Sequence, residues 1–188
     1  KSNNIPCAVS YLAVDYFEQD NPNYVGRLGI KGDRAGNFAI QNSDLIICLG
    51  SRLSVALTGF EYELFGRESK LVVIDIDKDE HEKNTVKIDH FIKADVKEFL
   101  KIIADKVQKK EQREWQEKCI HWKNKWPVYQ GGYDSDTVNM YEFTKTLSEL
   151  ANEDDIVVSD AGSSYYVTSQ SFTLNSNKQR YITSGAQA

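Results

Sequence analysis

Apolar residues fall into short continuous runs separated by polar, glycine-bearing stretches. Ile5-Pro6-Cys7-Ala8-Val9 is too short for a helix and predicts a buried parallel strand. Asp44-Leu45-Ile46-Ile47-Cys48-Leu49-Gly50 and Lys70-Leu71-Val72-Val73-Ile74-Asp75-Ile76-Asp77 are stronger runs of the same kind. Each is expected to be a central strand buried on both faces, the first ending in glycine and the second in acids. A weaker strand over residues 88–93 precedes a helix over 96–107, whose Phe99, Leu100, Ile103 and Val107 keep a 3.6-residue period. Helical stretches are also expected over 10–17 and over 34–42, where Ala35, Phe38 and Ala39 share a face. This rhythm predicts an α/β fold with a doubly wound, Rossmann-like parallel sheet.

Between 109 and 126 the chain turns highly charged, yet Trp115, Cys119, Trp122 and Trp126 recur at helical spacing on one face. Such a stripe either packs against protein or lines a ligand box. Pro127 stops the helix, and Gln130-Gly131-Gly132-Tyr133-Asp134-Ser135-Asp136 reads as a connector. The expected division is one domain over 1–130, a linker over 131–138 and the opening of a second α/β domain over 139–188. Asn139 is a candidate N-cap with Glu142 three residues on, opening a helix with Met140, Phe143, Leu147 and Leu150 as its inner stripe. The run Asp155-Ile156-Val157-Val158-Ser159 predicts a strand, and Asp160-Ala161-Gly162-Ser163-Ser164 leads from it into another helix. Arg180-Tyr181-Ile182-Thr183 is the last strand.

Composition narrows the classes. A length of 188 residues accommodates one full domain and part of another. A net charge of −5 leaves no basic excess to neutralise phosphates, which argues against a nucleic-acid partner. No apolar run approaches the length of a membrane span and the first residues lack a secretory pattern, so no membrane partner and a cytoplasmic location are expected. Cys7, Cys48 and Cys119 are odd in number and set in apolar surroundings, as buried thiols are. His81, His90 and His121 lack zinc-ligand spacing, so no metal site is expected. The first and last residues sit so close to strands that the chain reads as a piece of a longer polypeptide.

Three candidate sites lie at the carboxyl ends of predicted strands, where open α/β sheets place ligands. In the first, a loop from Gly26 to Gly36 that includes Gly29 and Gly32, glycine freedom and a following helix N-terminus suit an anion. The spacing is not GxGxxG, and a structural turn is the competing reading. The second joins Gly50, Ser51 and Arg52 to Asp75 and Asp77, acids able to accept from ribose hydroxyls; alternatively Asp77 caps the helix that follows. The third is the small, polar turn Gly162-Ser163-Ser164.

The order of these blocks resembles a known family. Gly26-x-x-Gly29-x-x-Gly32, the run from Asn37 to Leu53, Thr58-Gly59 and Val73-Ile74-Asp75-Ile76-Asp77 are similar to the central domain of acetolactate synthase and its relatives. Ile156 to Ser164 and Thr183-Ser184-Gly185-Ala186-Gln187-Ala188 look like the start of that family's diphosphate-binding domain. The resemblance implies an enzyme that uses thiamine diphosphate and Mg²⁺ to decarboxylate a 2-oxo acid and transfer the two-carbon unit. It implies cofactor contacts from Gly162, Ser163 and Ser164 to the diphosphate, and from Gly185, Ala186, Gln187 and Ala188 along the aminopyrimidine. It also implies a homo-oligomer, a dimer or tetramer. The family's metal-binding segment and activating glutamate have no counterpart here, so this stretch alone is expected to be inert. Family members that hold FAD carry acids after the arginine that corresponds to Arg52; Arg52-Leu53-Ser54-Val55 lacks them, which disfavours FAD. A stand-alone nucleotide-binding or structural module is the alternative.

Overall fold

The computed structural model describes residues 4–104, 106–107, 112–132 and 136–185. Among these, every strand pair is parallel. β1 (Cys7–Val9) pairs with β2 (Tyr24–Arg27). β3 (Leu45–Leu49), β4 (Lys70–Asp75) and β5 (His90–Lys93) form a sheet in the order β3-β4-β5, and β6 (Ile156–Ser159) pairs with β7 (Arg180–Thr183). The helices are α1 (Arg34–Gln41), α2 (Val55–Thr58), α3 (Lys78–His81), α4 (Val96–Ala104), α5 (Arg113–Lys125), α6 (Met140–Leu150) and α7 (Ser163–Ser171). The stretch expected to be helical after β1 is a 3₁₀ segment, Tyr11–Tyr16, interrupted at Ala13. The parallel α/β class is the one expected, distributed over three short sheets among the described residues.

β4 is the central strand, and Val73 and Ile74 on its two faces are both fully buried. Ile46 and Cys48 of β3 join Leu71 and Val73 of β4 in one core with Leu53 and Val86. β3 departs from the expectation of two buried faces: Leu45, Ile47 and Leu49 remain exposed while Ile46 and Cys48 are buried. A strand alternates sides at every residue, and only the face that carries Ile46 and Cys48 is covered by the core. β2 was not evident as a strand, because Gly26 and Arg27 interrupt its apolar pattern.

The aromatic stripe of α5 is core. Cys119 is fully buried with Val25 of β2 and Ala39 of α1, flanked by Trp115 and Trp122. Phe38 of α1 meets Trp122 and Trp126 edge-on at centroid distances of 5.8 and 5.2 Å. Lys123 ties the helix down by donating to the carbonyls of Gln19 (2.8 Å) and Tyr24 (3.0 Å). Burial pushes its ammonium pKa down, with Arg27 nearby adding to the effect.

In α6 the capping expectation holds in part: the Asn139 carboxamide oxygen accepts from the amides of Tyr141 and Glu142. The stripe expected to face inward, Met140, Phe143, Leu147 and Leu150, is exposed, and the buried residues are Thr144 and Ser148. Both hydroxyls donate back along the helix, Thr144 to the Met140 carbonyl at 2.8 Å and Ser148 to the Thr144 carbonyl at 2.9 Å. With their polar atoms satisfied, these small side chains can be buried without an unmet hydrogen bond. Ser148 also receives the Thr173 amide at 2.9 Å just past the end of α7.

The burial pattern of β4 sets a stability contrast. Ile74→Ala is expected to lower unfolding free energy by about 2–5 kcal/mol, whereas Ile76→Ala, at an exposed position, stays within about 0.5 kcal/mol. Urea unfolding midpoints of the two variants provide the measurement.

Candidate functional site

The glycine loop between β2 and α1 is folded onto itself. The Gly29 amide donates to Asn37 Oδ1 (2.8 Å), while Asn37 Nδ2 donates to the Gly29 carbonyl (3.0 Å). The amides of Leu28, Ile30, Gly32 and Asp33 donate to the carbonyls of Val9, Ala56, Gly29 and Arg27 at 2.8–3.0 Å. Close packing accounts for two of the glycines. A Cβ on Gly32 would lie 2.6 Å from the Arg27 carbonyl oxygen, and one on Gly29 would run into the Ala56 carbonyl. These amides are spent inside the chain, which is the geometry of a structural turn.

At the centre of that turn is a buried ion pair. Arg27 Nε donates to Asp33 Oδ1 and Oδ2 at 3.1 and 3.0 Å, and Nη2 donates to Oδ2 at 2.9 Å. The Arg27 amide also donates to Oδ2 at 2.9 Å. The two side chains are only 6% and 10% exposed. Nη1 donates to the Ser169 carbonyl of α7. Burial opposes the charge on Arg27, but the negative surroundings outweigh it and its pKa is raised.

The ends of β3 and β4 bring Gly50-Ser51-Arg52 beside Asp75 and Asp77, as adjacent parallel strands must. Several of their polar groups are already partnered, although the buried His81 Nε2 beside Asp75 makes no hydrogen bond. Asp77 Oδ1 accepts the Glu80 amide at 3.1 Å and so caps α3, the alternative role foreseen for it. Asp75 Oδ1 accepts the Asp77 amide at 2.9 Å, and Oδ2 lies 3.3 Å from His81 Nε2. Arg52 Nε donates to Glu80 Oε1 at 2.7 Å, and Lys83 approaches the same oxygen. Hydrogen bonds from Lys83 and Arg52 hold the Glu80 carboxyl below its usual range. Gly50 turns the chain at φ +56°, and Leu53 holds a left-handed φ of +52° inside the core.

The turn after β6 also opens a helix without a side-chain cap, as the start of α1 does, and differs from it in having no side chain at the N-cap. Gly162 adopts φ +73°, and a Cβ placed on it would meet nothing, so glycine serves the backbone conformation and leaves open space in front. α7 begins there without a side-chain cap. First-turn amides have no helical acceptors, and together with the positive end of the helix dipole they fit an anionic group such as a diphosphate. Ser163 is exposed, whereas the Ser164 hydroxyl turns back to donate to the carbonyls of Asp160 (3.2 Å) and Ala161 (2.9 Å). Asp160 Oδ1 accepts from the Ala161 amide (2.7 Å) and the Ser184 hydroxyl (3.2 Å), joining the turn to the end of β7 next to Gly185. Ala186, Gln187 and Ala188 lie outside the described residues. Among the described residues, no three His, Cys, Asp or Glu side chains gather as a metal site.

Several residues that shape this region were not singled out from the sequence. Ser159, at the end of β6, shares a buried 2.7 Å hydrogen bond with the Tyr181 hydroxyl, which also donates to the Tyr165 carbonyl at 3.4 Å. Asp15 accepts from Arg180 Nε at 2.6 Å, pinning β7 to the 3₁₀ segment. A charge within Tyr24-Val25-Gly26-Arg27, with an acid six residues on, was the one available hint of the Arg27–Asp33 pair.

Comparison with known proteins covers the same blocks. Residues 1–103 match the family model described as thiamine pyrophosphate enzyme, central domain. The probable acetolactate synthase large subunit of Methanocaldococcus jannaschii is 31% identical over 169 residues, covering 84% of this chain and 28% of that protein. The acetolactate synthase isozyme 1 large subunit of Escherichia coli is 27% identical over 182 residues, covering 96% of this chain and 32% of that protein. The large subunit from Cyanidium caldarium is 28% identical over 155 residues, covering 79% and 26%. The chain thus spans about a third or less of the length of these curated relatives.

The thiols are not reactive groups of any of these sites. Burial pushes Cys48 up to about 11 and Cys119 up to about 12, from an ordinary value of 9.0. Because the folded values are raised, the neutral thiols favour the fold fully below pH 9, and that contribution is lost as pH rises through 11 and 12. At pH 8, a chromogenic disulfide reagent is expected to modify both residues only after unfolding, with native-state labelling at least about tenfold slower than in urea. Peptide mapping of the modified protein reads this directly.

Proposed function

Because the chain belongs to the thiamine pyrophosphate enzyme central-domain family, we propose that it forms part of an acetolactate synthase-like enzyme acting on a 2-oxo acid. The observation that carries this reading is the uncapped, glycine-opened start of α7 at the carboxyl end of β6, a cradle with the chemistry of a diphosphate site. Thiamine diphosphate, when bound with Mg²⁺, supplies the electron sink for decarboxylation and two-carbon transfer. The chain's own residues bind and orient: backbone amides behind Gly162 receive phosphate oxygens, and the Ser163 hydroxyl adds a donor. Ser164 stiffens the turn through its bonds to Asp160 and Ala161. Gly185 would contribute to the contact with the aminopyrimidine; Ala186, Gln187 and Ala188, given the same role by the resemblance, lie outside the described residues. Metal ligands and the ring-activating carboxylate are supplied by other parts of the polypeptide.

In this reading, residues 1–130 form a scaffold domain, 131–138 a linker and 139–188 the opening of the cofactor domain. The internally satisfied glycine loop and the capping role of Asp77 support a central domain that works without a nucleotide. Assembly as a cytoplasmic dimer or tetramer completes the proposal.

Calorimetric titration of thiamine diphosphate with saturating Mg²⁺ into the full-length enzyme provides the test. Binding is expected in the wild type. Gly162→Val, which forces a β-branched residue to φ +73° in front of the amides, is expected to weaken it by at least about tenfold. Absence of binding by the wild type would remove the catalytic reading.

A further inference from the structure

The carbonyl of Ser169 lies in the last turn of α7, where helical acceptors lose their donors. Its natural partner four residues on, the Thr173 amide, is taken by the Ser148 hydroxyl at 2.9 Å. The Phe172 amide donates to Thr168 instead. Into this position comes the guanidinium of Arg27 from the end of β2, buried and already gripped by Asp33.

Two more contacts tie the same loop to the same helix. Gln170 Nε2 donates to the Lys31 carbonyl at 2.7 Å while its Oε1 accepts from the Tyr141 hydroxyl at 2.8 Å. Lys31 Nζ sits 4.8 Å above the centre of the Tyr166 ring. A cation at the carboxyl end of a helix is favoured by the helix dipole, and the effect is strongest where water is excluded.

We propose that Arg27 is a positioning residue: it caps the carboxyl end of α7 from the neighbouring unit and so fixes the Gly162-Ser163-Ser164 turn at the other end of that helix. The positioning claim rests on the reading that this turn receives a diphosphate; the capping claim does not. Arg27 acts through α7, since its side-chain donors are taken up by Asp33 and Ser169. Its planar fork engages both oxygens of Asp33 with Nε and Nη2 and leaves Nη1 for the carbonyl, a division of labour that a lysine ammonium cannot reproduce.

Removing Arg27 alone strands a buried carboxylate, so the informative variant is Arg27→Met with Asp33→Asn, which removes both charges. Hydrogen exchange followed by mass spectrometry on the full-length enzyme gives the first readout. Peptides covering α7 are expected to exchange about ten- to a hundredfold faster in the double variant, while those covering β3 and β4 stay unchanged. Unchanged α7 exchange would overturn the capping role; acceleration spread equally over β3 and β4 would overturn it too, by showing general destabilisation. The second readout is thiamine diphosphate affinity with Mg²⁺ in the full-length enzyme, expected to fall about tenfold in the double variant. Faster α7 exchange with unaltered affinity would overturn the positioning claim alone. Failure of the wild type to bind would overturn the diphosphate reading and the positioning claim built on it, and exchange would still decide whether Arg27 caps the helix.

Discussion

A guanidinium taken out of water must find a counter-charge and hydrogen-bond acceptors for its donors, or it costs several kcal/mol. Arg27 meets that requirement through Asp33, six residues along the chain, and the shape of the intervening loop follows from it. A Cβ on Gly26 would fall 2.5 Å from Asp33 Oδ2, and side chains at Gly32 and Gly36 would strike the backbone of Arg27 or Leu28. The glycine spacing that suggests an anion-binding loop is thus accounted for by the tight return that brings Asp33 back onto Arg27. The same return starts α1, whose Ala39 packs against Val25 and Cys119. The pair therefore sits between the loop, the first helix and the strand that anchors α5.

How far this was legible in the sequence varies by element. Continuous apolar runs identified β3, β4 and β6, and helical spacing identified the buried face of α5, because each signal is carried by neighbouring residues in the sequence. The stripe of α6 is exposed against expectation for a physical reason: hydrophobic spacing shows which residues seek cover without telling which neighbour supplies it. Thr144 and Ser148, silent in a hydrophobicity pattern, turned out to pack inward because each satisfies its hydroxyl within the helix. α7 buries Tyr165, Val167 and Ser169, a spacing of two that no helical template contains, since neighbours cover it on more than one side. Its position was readable from the turn that opens it and not from periodicity.

The candidate sites divide along a similar line. A motif shows that a backbone can turn or an acid can accept, whereas occupancy by other parts of the chain decides whether that capacity remains available. The amides of the glycine loop and the carboxylates of Asp75 and Asp77 are engaged by residues distant in sequence or by the next turn of chain. The start of α7 keeps its capacity, because Gly162 offers no side chain to cap it and Ser164 bonds backward into the turn.

Polar contacts join the two halves of the chain beside the Tyr11–Tyr165 ring contact: Arg27 to Ser169, Gln170 to Lys31, Arg180 to Asp15. Apolar surfaces adhere at many registers, whereas a hydrogen bond weakens steeply with a small change in distance or angle. A junction held by such bonds defines the axial position of α7 as well as its proximity. In the proposed reading, where the first turn of α7 presents amides to phosphate oxygens, axial position is the quantity that matters, since a displacement of about 1 Å is enough to misalign a reacting group. A buried charge at the far end of α7 is intelligible on these terms: the Arg27 cation at Ser169 complements the negative end of the helix dipole, whose positive end lies at Gly162, where the proposed diphosphate would supply the opposite charge.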